Sequence, residues 1–195
     1  MQVLLWSEGM GEEPCCLNLK EEIRPVQKGW SSYIAGVLAG YQHLGWQIPG
    51  FEGCVRSTLP VGSGLSSSAA LEVATATAVE TLCERQLSLE QKALLCQQAE
   101  REFAHVPCGI MDQFAVTFGK VGHALLLDCS SHSMRYVPFA DEEVSVLVIN
   151  SGVKHSLADG EYARRRAECA SAARLFGVGS LRDVNLNQWH IQNQR

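Results

Sequence analysis

Between Leu59 and Glu80 the chain reads LPVGSGLSSSAALEVATATAVE, and its character changes midway. The first half has the glycine and serine content of a flexible linker. From Ser68 onward, Leu71, Ala74, Thr75, Ala78, Val79 and Leu82 recur at i, i+3, i+4, i+7, i+8 and i+11, the spacing of one packed helix face. Upstream, Phe51, Val55, Ser57 and Leu59 alternate with Glu52, Cys54, Arg56 and Thr58, which predicts a strand over Phe51 to Leu59. The glycines and serines are therefore pinned between a strand and a helix, as a linker is not. Such a junction presents unpaired backbone N–H groups and about half a unit of positive charge, a setting that suits phosphate. Gly62 and Gly64 allow positive φ and close approach of the backbone. The hydroxyls of Ser66, Ser67 and Ser68 can cap N–H groups, hold phosphate oxygens or reach a metal ion. A serine-capped helix entry without any ligand is the plainer reading of the same residues. A Walker loop would need a lysine after its last glycine, and a dinucleotide fingerprint a third glycine where Ser67 stands.

Composition bounds the remaining choices. A chain of 195 residues, 46% hydrophobic and 19% charged, has the make-up of a globular protein with one good core or two small ones. A net charge of -5 supplies no broad basic field, so nucleic acid is not an expected partner, and Arg164, Arg165 and Arg166 read as a solvated helix face. The 8 cysteines include no C-x-x-C pair, and the start lacks a signal-like segment, so they are expected to be reduced, mostly buried thiols of a cytoplasmic protein. No apolar run reaches the length of a membrane span, and the 6 histidines show no zinc-ligand spacing.

Periodicity predicts a helix from Trp30 to about Leu44 and another from Ser88, opened by a Ser88/Gln91 capping box, to about Phe103. Strands are expected at His123 to Cys129, Met134 to Phe139 and Val144 to Asn150, then a helix from about Leu157 to Phe176. Beyond Val184 the chain reads as a polar, unpatterned tail.

Three groups carry candidate chemistry. Leu89, Ala93, Cys96, Glu100 and Phe103 form one stripe of the helix that starts at Ser88, which places the Glu100 carboxylate on an apolar side where it needs a partner. That partner is an arginine, a helix N-terminus, or a cation such as magnesium, which takes one or two carboxylates plus phosphate oxygens. Asp112, in GIMDQF past a Pro107 and Gly109 turn, is either a favourable charge on a helix dipole or a reactive carboxylate. Trp30 and Tyr33 are by default part of the first helix's packing.

The stretch LPVGSGLSSSAALE resembles the phosphate-binding motif of the GHMP kinases, P-x-G-x-G-L-[SG]-S-S-[AS], matched at Pro60, Gly62, Gly64, Leu65, Ser67, Ser68 and Ala69. Two further stretches, PCGIMDQF from Pro107 and HSLADGEYARRR from His155, are similar to the galactokinases within that family. The resemblance covers about Lys28 to Val184. It implies an α+β, two-lobe fold cut at both ends: a partial ATP-binding lobe over 1–150 and the beginning of a second lobe over 151–195. It implies a kinase that phosphorylates galactose at O1 with ATP and Mg2+, monomeric when full length and not bound to a membrane. ATP would lie on Gly62, Ser63, Gly64, Leu65, Ser66, Ser67 and Ser68, with Trp30 and Tyr33 near adenine. Magnesium would sit at Glu100 with Ser67 or Ser68, the base would be Asp112, and Gly109, Asp112 and Tyr162 would meet the sugar. A non-catalytic galactose and ATP sensor, or a kinase for N-acetylgalactosamine, are the alternatives.

Neither the family's upstream R-x-N-L-x-G-E-H segment nor its downstream G-G-G-F-G-G motif has a match. A site built to hydrogen-bond sugar hydroxyls loses affinity steeply when those partners are missing, and open sheet edges favour aggregation. The expectation is that residues 1–195 alone show no measurable galactose phosphorylation and are poorly soluble. Purification followed by an assay for ATP-dependent galactose 1-phosphate checks this, and robust turnover by a soluble monomer overturns it.

Overall fold

A computed structural model describes residues 1–25, 29–139, 143–149 and 161–192. The chain divides into two compact units, Met1–His155 and Ser156–Arg195.

The first unit opens with two strands that periodicity does not single out, β1 (Gln2–Ser7) and β2 (Cys15–Asn18), paired antiparallel. After α1 (Ser31–His43), β3 (Phe51–Val55) lies parallel to β1 on its other side, so the sheet order is β2-β1-β3. A parallel neighbour requires a crossover, and α1 provides it. The strand expected over Phe51 to Leu59 stops at Val55 because its partner stops too: the ladder ends at Ser7 opposite Val55. Glu8 N then donates to Val55 O, and Arg56 turns aside to pair with Glu8 at 3.0 Å.

Next come α2 (Ser67–Leu82), α3 (Leu89–Phe103) and α4 (Met111–Phe118). The Ser88/Gln91 capping box forms as expected, the Ser88 hydroxyl accepting from Gln91 N and the Gln91 side chain accepting from Ser88 N. Helix α1 is buried along most of its length and shares one core with Val3, Leu5 and Leu17 of the sheet and with Ala76, Val79, Cys96, Ala99 and Phe103 of α2 and α3. Gly36 lets α1 and α3 meet at backbone distance, since a Cβ there would lie 2.8 Å from that of Ala99. A hairpin of β4 (His123–Leu127) and β5 (Met134–Pro138) follows, with Leu125 and Leu127 packed on a smaller core of Ala93, Ile110 and Phe114.

Several expectations are corrected. Val144 to Ile149 form no strand; among the described residues they have no ladder partner and stand exposed, and Asn150 lies outside the described residues. Strand propensity gives a strand only where a neighbouring backbone completes the hydrogen bonds. All 8 cysteines are free, but only Cys96 is buried; Cys16 and Cys54 alternate onto the outer sheet face. The face of α2 is also displaced from the one its apolar residues outline. Ala74, Ala78 and Leu82 are exposed, and the buried positions are Ala69, Glu72, Ala76, Val79 and Glu80. On α3, Ala93, Cys96, Glu100 and Phe103 are buried as expected, with Leu89 exposed at the helix start.

In the second unit α5 spans Glu161–Leu175, the expected start at Leu157 lying outside the described residues. Arg164 and Arg165 are exposed and pair with Glu168 at 2.7 and 3.3 Å. The supposedly unpatterned tail contains α6 (Leu186–Gln192), which begins with a reciprocal cap: Gln188 N donates to Asn185 Oδ1, and Asn185 N donates to Gln188 Oε1. The Trp189 ring stacks on Phe176, their centroids 6.1 Å apart.

Glu80 ties the first unit's helices together. Its carboxylate pairs with Lys92 Nζ of α3 at 2.7 Å, accepts from Tyr41 Oη of α1 at 2.8 Å and from Leu87 N at 3.2 Å. Removing one partner of a buried pair leaves an uncompensated charge, so Lys92→Met is expected to cost roughly 3–5 kcal/mol of unfolding free energy. Glu80→Gln combined with Lys92→Met should recover most of that, because the amide oxygen still accepts from Tyr41 and Leu87. Urea denaturation of the single and double variants checks both; a Lys92→Met loss under about 1 kcal/mol, the range of an exposed pair, refutes the expectation.

Candidate active site

The glycine and serine stretch is an open loop between two anchored ends. Behind it β3 is held by β1, and ahead of it α2 is held in the core. Gly62, Gly64 and Ser66 take positive φ of 74°, 77° and 54°, so the chain turns sharply three times before the helix. Glycine bears such φ without strain, whereas Ser66 pays for it sterically. Ser63 Oγ is occupied inside the loop, donating to Pro60 O at 2.7 Å, and Leu65 is exposed. Helix α2 begins after Ser66 with no side-chain cap. Its first amides are therefore directed out of the helix start, with the positive end of the dipole behind them.

Three helices bring carboxyl groups behind that start. Ser68, on the first turn of α2, and the Cys108 thiol lie near Glu100 of α3 and favour its charged form, and Gln113 of α4 hydrogen-bonds to it. Gln113 Nε2 donates to Glu100 Oε2 at 2.6 Å and to Glu72 Oε2 at 3.1 Å. Glu72, Glu100 and Gln113 are all buried. The segment between α3 and α4 is fixed from outside: Arg101 Nε and Nη2 donate to Cys108 O at 3.0 and 2.7 Å, and Cys108 N donates to Val106 O. Gly109 is exposed at this turn, and Asp112 is half-buried in the first turn of α4.

The electrostatics follow from burial and mutual repulsion. Glu72 is pushed up to about 9, by burial first and then by the Glu100 charge, against the lowering effect of its bond from Gln113. It therefore keeps its proton at neutral pH. Glu100 is also raised by burial, but Ser68, Gln113 and Cys108 oppose that rise. The Cys108 thiol, pushed up to about 12 by burial and then by the two glutamates, stays protonated. Tyr33 is likewise raised to about 12, by burial and then by Glu100 and Glu72, which puts its phenol in electrostatic reach of the carboxyl cluster. Trp30 is half-buried, packed on the main core at the start of α1.

Of the residues singled out in the sequence, the structure brings Ser68 near Glu100 and places Asp112 beside Gln113, a partner of Glu100. Ser67 is the first residue of α2. Tyr162 stands exposed on α5 in the second unit, while His155 to Gly160 of the same motif lie outside the described residues. Periodicity misses Glu72, Gln113 and Cys108. The available signal for Glu72 was the one that revealed Glu100, a carboxylate among the apolar residues of a helix.

Among the described residues no three His, Cys, Asp or Glu side chains are arranged to hold a metal ion, and no helix is long and apolar enough to cross a membrane. The donor set at Glu100 and Ser68, one carboxylate and one hydroxyl beside a phosphate-type loop, is nevertheless the kind magnesium uses when it keeps waters and takes further oxygens from a nucleotide.

Known proteins resemble the chain in sequence and fold. Residues 32–120 match the model of the GHMP kinases N terminal domain. Over 193 residues the chain is 44% identical to a galactokinase of Homo sapiens, covering 96% of this chain and 48% of that protein. A galactokinase of Streptomyces coelicolor is 42% identical over 182 residues, 92% of this chain and 47% of that protein. The crystal structure of Lactococcus lactis galactokinase complexed with galactose superposes with a TM-score of 0.84 at 27% identity, over 99% of this chain and 51% of that one. A mevalonate kinase shares the fold at a TM-score of 0.58 and 23% identity, over 70% of this chain and 42% of that one. The chain spans about half the length of the curated relatives it matches. Its mixture of helices and strands is that of the GHMP kinase fold. The glycine loop and the helix start stand within the stretch that matches the GHMP kinases N terminal domain, and over most of its length the chain is similar to galactokinases.

Proposed function

We propose that the chain carries the ATP side of a galactokinase's phosphoryl-transfer site. The observation that supports this most directly is the nearness of Ser68 to Glu100, which sets a hydroxyl and a carboxylate together at an uncapped helix start. The backbone of Gly62 to Ser68 would cradle the phosphates, the open amides of α2 donating to their oxygens. Glu100 and Ser68, with Ser67 at hand, would hold magnesium, which when bound neutralises phosphate charge and orients the transferred group. Asp112 would take the proton from the sugar's O1 as that oxygen attacks the terminal phosphate, or hold the charge that favours its ionisation. Gly109 would border the sugar, and Trp30 and Tyr33 the adenine side. Galactose as substrate rests on the similarity to galactokinases, one of them solved with that sugar bound. Phosphoryl transfer needs little covalent chemistry from the protein, so positioning is the main contribution of these residues. The free thiols fit a reducing cytoplasm, and the full-length protein is read as a monomer.

The test is made with the chain completed to the length of its relatives. Asp112→Asn is expected to lower galactose phosphorylation by roughly 10²-fold to 10⁴-fold, with ATP affinity nearly unchanged. Turnover near that of the unmodified enzyme removes Asp112 from the mechanism. Glu100→Gln keeps the shape and loses the charge, so the magnesium concentration needed for half-maximal activity should rise while metal-free sugar binding persists. If that variant loses its fold with unchanged metal dependence, Glu100 is a structural residue and the metal assignment fails.

A further inference from the structure

Glu72 is unexplained by stability alone. It is fully buried, with 0% of its surface exposed, and stands on the core face of α2 among Ala69, Ala76 and Val79, where an apolar side chain would fill the space without desolvating a carboxyl group. The other buried glutamate of that helix has a lysine; Glu72's hydrogen bond is to Gln113, itself 0% exposed. Glu72 Oε1 and Gln113 Oε1 have no hydrogen-bond partner, so the pair is not a saturated structural network. What the pair does have is direction. One amide nitrogen of α4 spans two carboxyl groups, Glu72 of α2 at 3.1 Å and Glu100 of α3 at 2.6 Å.

We propose that Glu72 and Gln113 are positioning residues that together set the Glu100 carboxylate and, through the first turn of α4, the place of Asp112. The proposal rests on the reading of Glu100 as the magnesium carboxylate and deepens it. Glu72 holds the Gln113 amide, the amide holds Glu100 Oε2, and the carboxylate is thereby oriented for the cation. Because Gln113 follows Asp112 in sequence, the same bond fixes the helix turn that presents the base. The metal carboxylate and the base then move as one unit, and a displacement of about 1 Å in either is enough to cost much of the rate.

The test uses the chain fused to a soluble carrier protein and titrated with Mn2+ in the presence of ADP, free metal being read by paramagnetic resonance and folding by urea denaturation. Glu72→Gln should bind manganese as the unmodified chain does, since its amide oxygen keeps the acceptor for Gln113 Nε2. Glu72→Leu and Gln113→Leu should each weaken binding roughly 10-fold to 100-fold, the usual loss when an outer partner of a metal ligand is removed. Gln113→Asn keeps an amide one methylene too short to span both carboxyl groups; the same loss is expected, and this variant decides the matter if the leucine variants do not fold. The clamp alone is overturned if Glu100→Gln weakens manganese binding while the Gln113 variants, folded, bind as before. It is overturned equally if those variants lower only the urea midpoint. Unchanged binding in Glu100→Gln, or none by the unmodified chain, overturns the metal reading and the clamp with it.

Discussion

Helix α2 buries two carboxyl groups, Glu72 and Glu80, and the first unit is organised around making that tolerable. Burying a charge without a partner is among the costliest things a fold can do. The two positions lie at i and i+8, both on the buried side of the helix. Helix α3 meets them running antiparallel, with Lys92 near its start opposite Glu80 and Glu100 near its end on the far side of Gln113 from Glu72. The two ends solve the problem differently. At Glu80 a lysine and two further donors satisfy the carboxyl oxygens. At Glu72 burial and the nearby Glu100 raise the pKa until the group keeps its proton.

That difference separates a structural end from the one proposed as functional. The Lys92 end is closed, with Tyr41 of α1 and the α2–α3 connection locked onto the carboxylate. The other end leads to the loop, where the start of α2 has no side-chain cap and Glu100 is approached by Ser68, Cys108 and Gln113 from three different segments. A site for phosphoryl transfer needs fixed groups around an open place. In the proposed reading the fixed groups would come from α2, α3 and α4, and the open place would be the loop of Gly62 to Ser66, whose positive φ values bend it away from the regular helix path.

Much of this was legible from the residues. The capping box at Ser88, the buried stripe of α3 carrying Glu100, and the glycine loop between strand and helix all depend on contacts a few residues apart, which local spacing encodes. The face of α2 was misread because apolar spacing assumes that apolar residues go inside. Exposed Ala74, Ala78 and Leu82 trace a false stripe, while Glu72 and Glu80 occupy the true one. Val144 to Ile149 show the same limit for strands, having the right composition and no neighbouring backbone among the described residues.

By itself the sequence determined the chemistry on offer: the glycines able to take positive φ, the serines at a helix mouth, and the carboxyl groups at positions 100 and 112. It also carried the likeness to the GHMP kinases, through the motifs at Pro60 to Ala69 and Pro107 to Phe114. Only the tertiary structure decided which carboxyl groups meet. Glu72, Glu100 and Gln113 come from three helices, and nothing in their local spacing says that one amide will span two acids. That arrangement follows from how α2, α3 and α4 pack, a consequence of core shape and close approaches such as Gly36 against Ala99, which link residues far apart in the chain. Protonation was decided there as well, since the same glutamate side chain is acidic in water and retains its proton at Glu72 only because the packed helices exclude water and set a second carboxylate nearby.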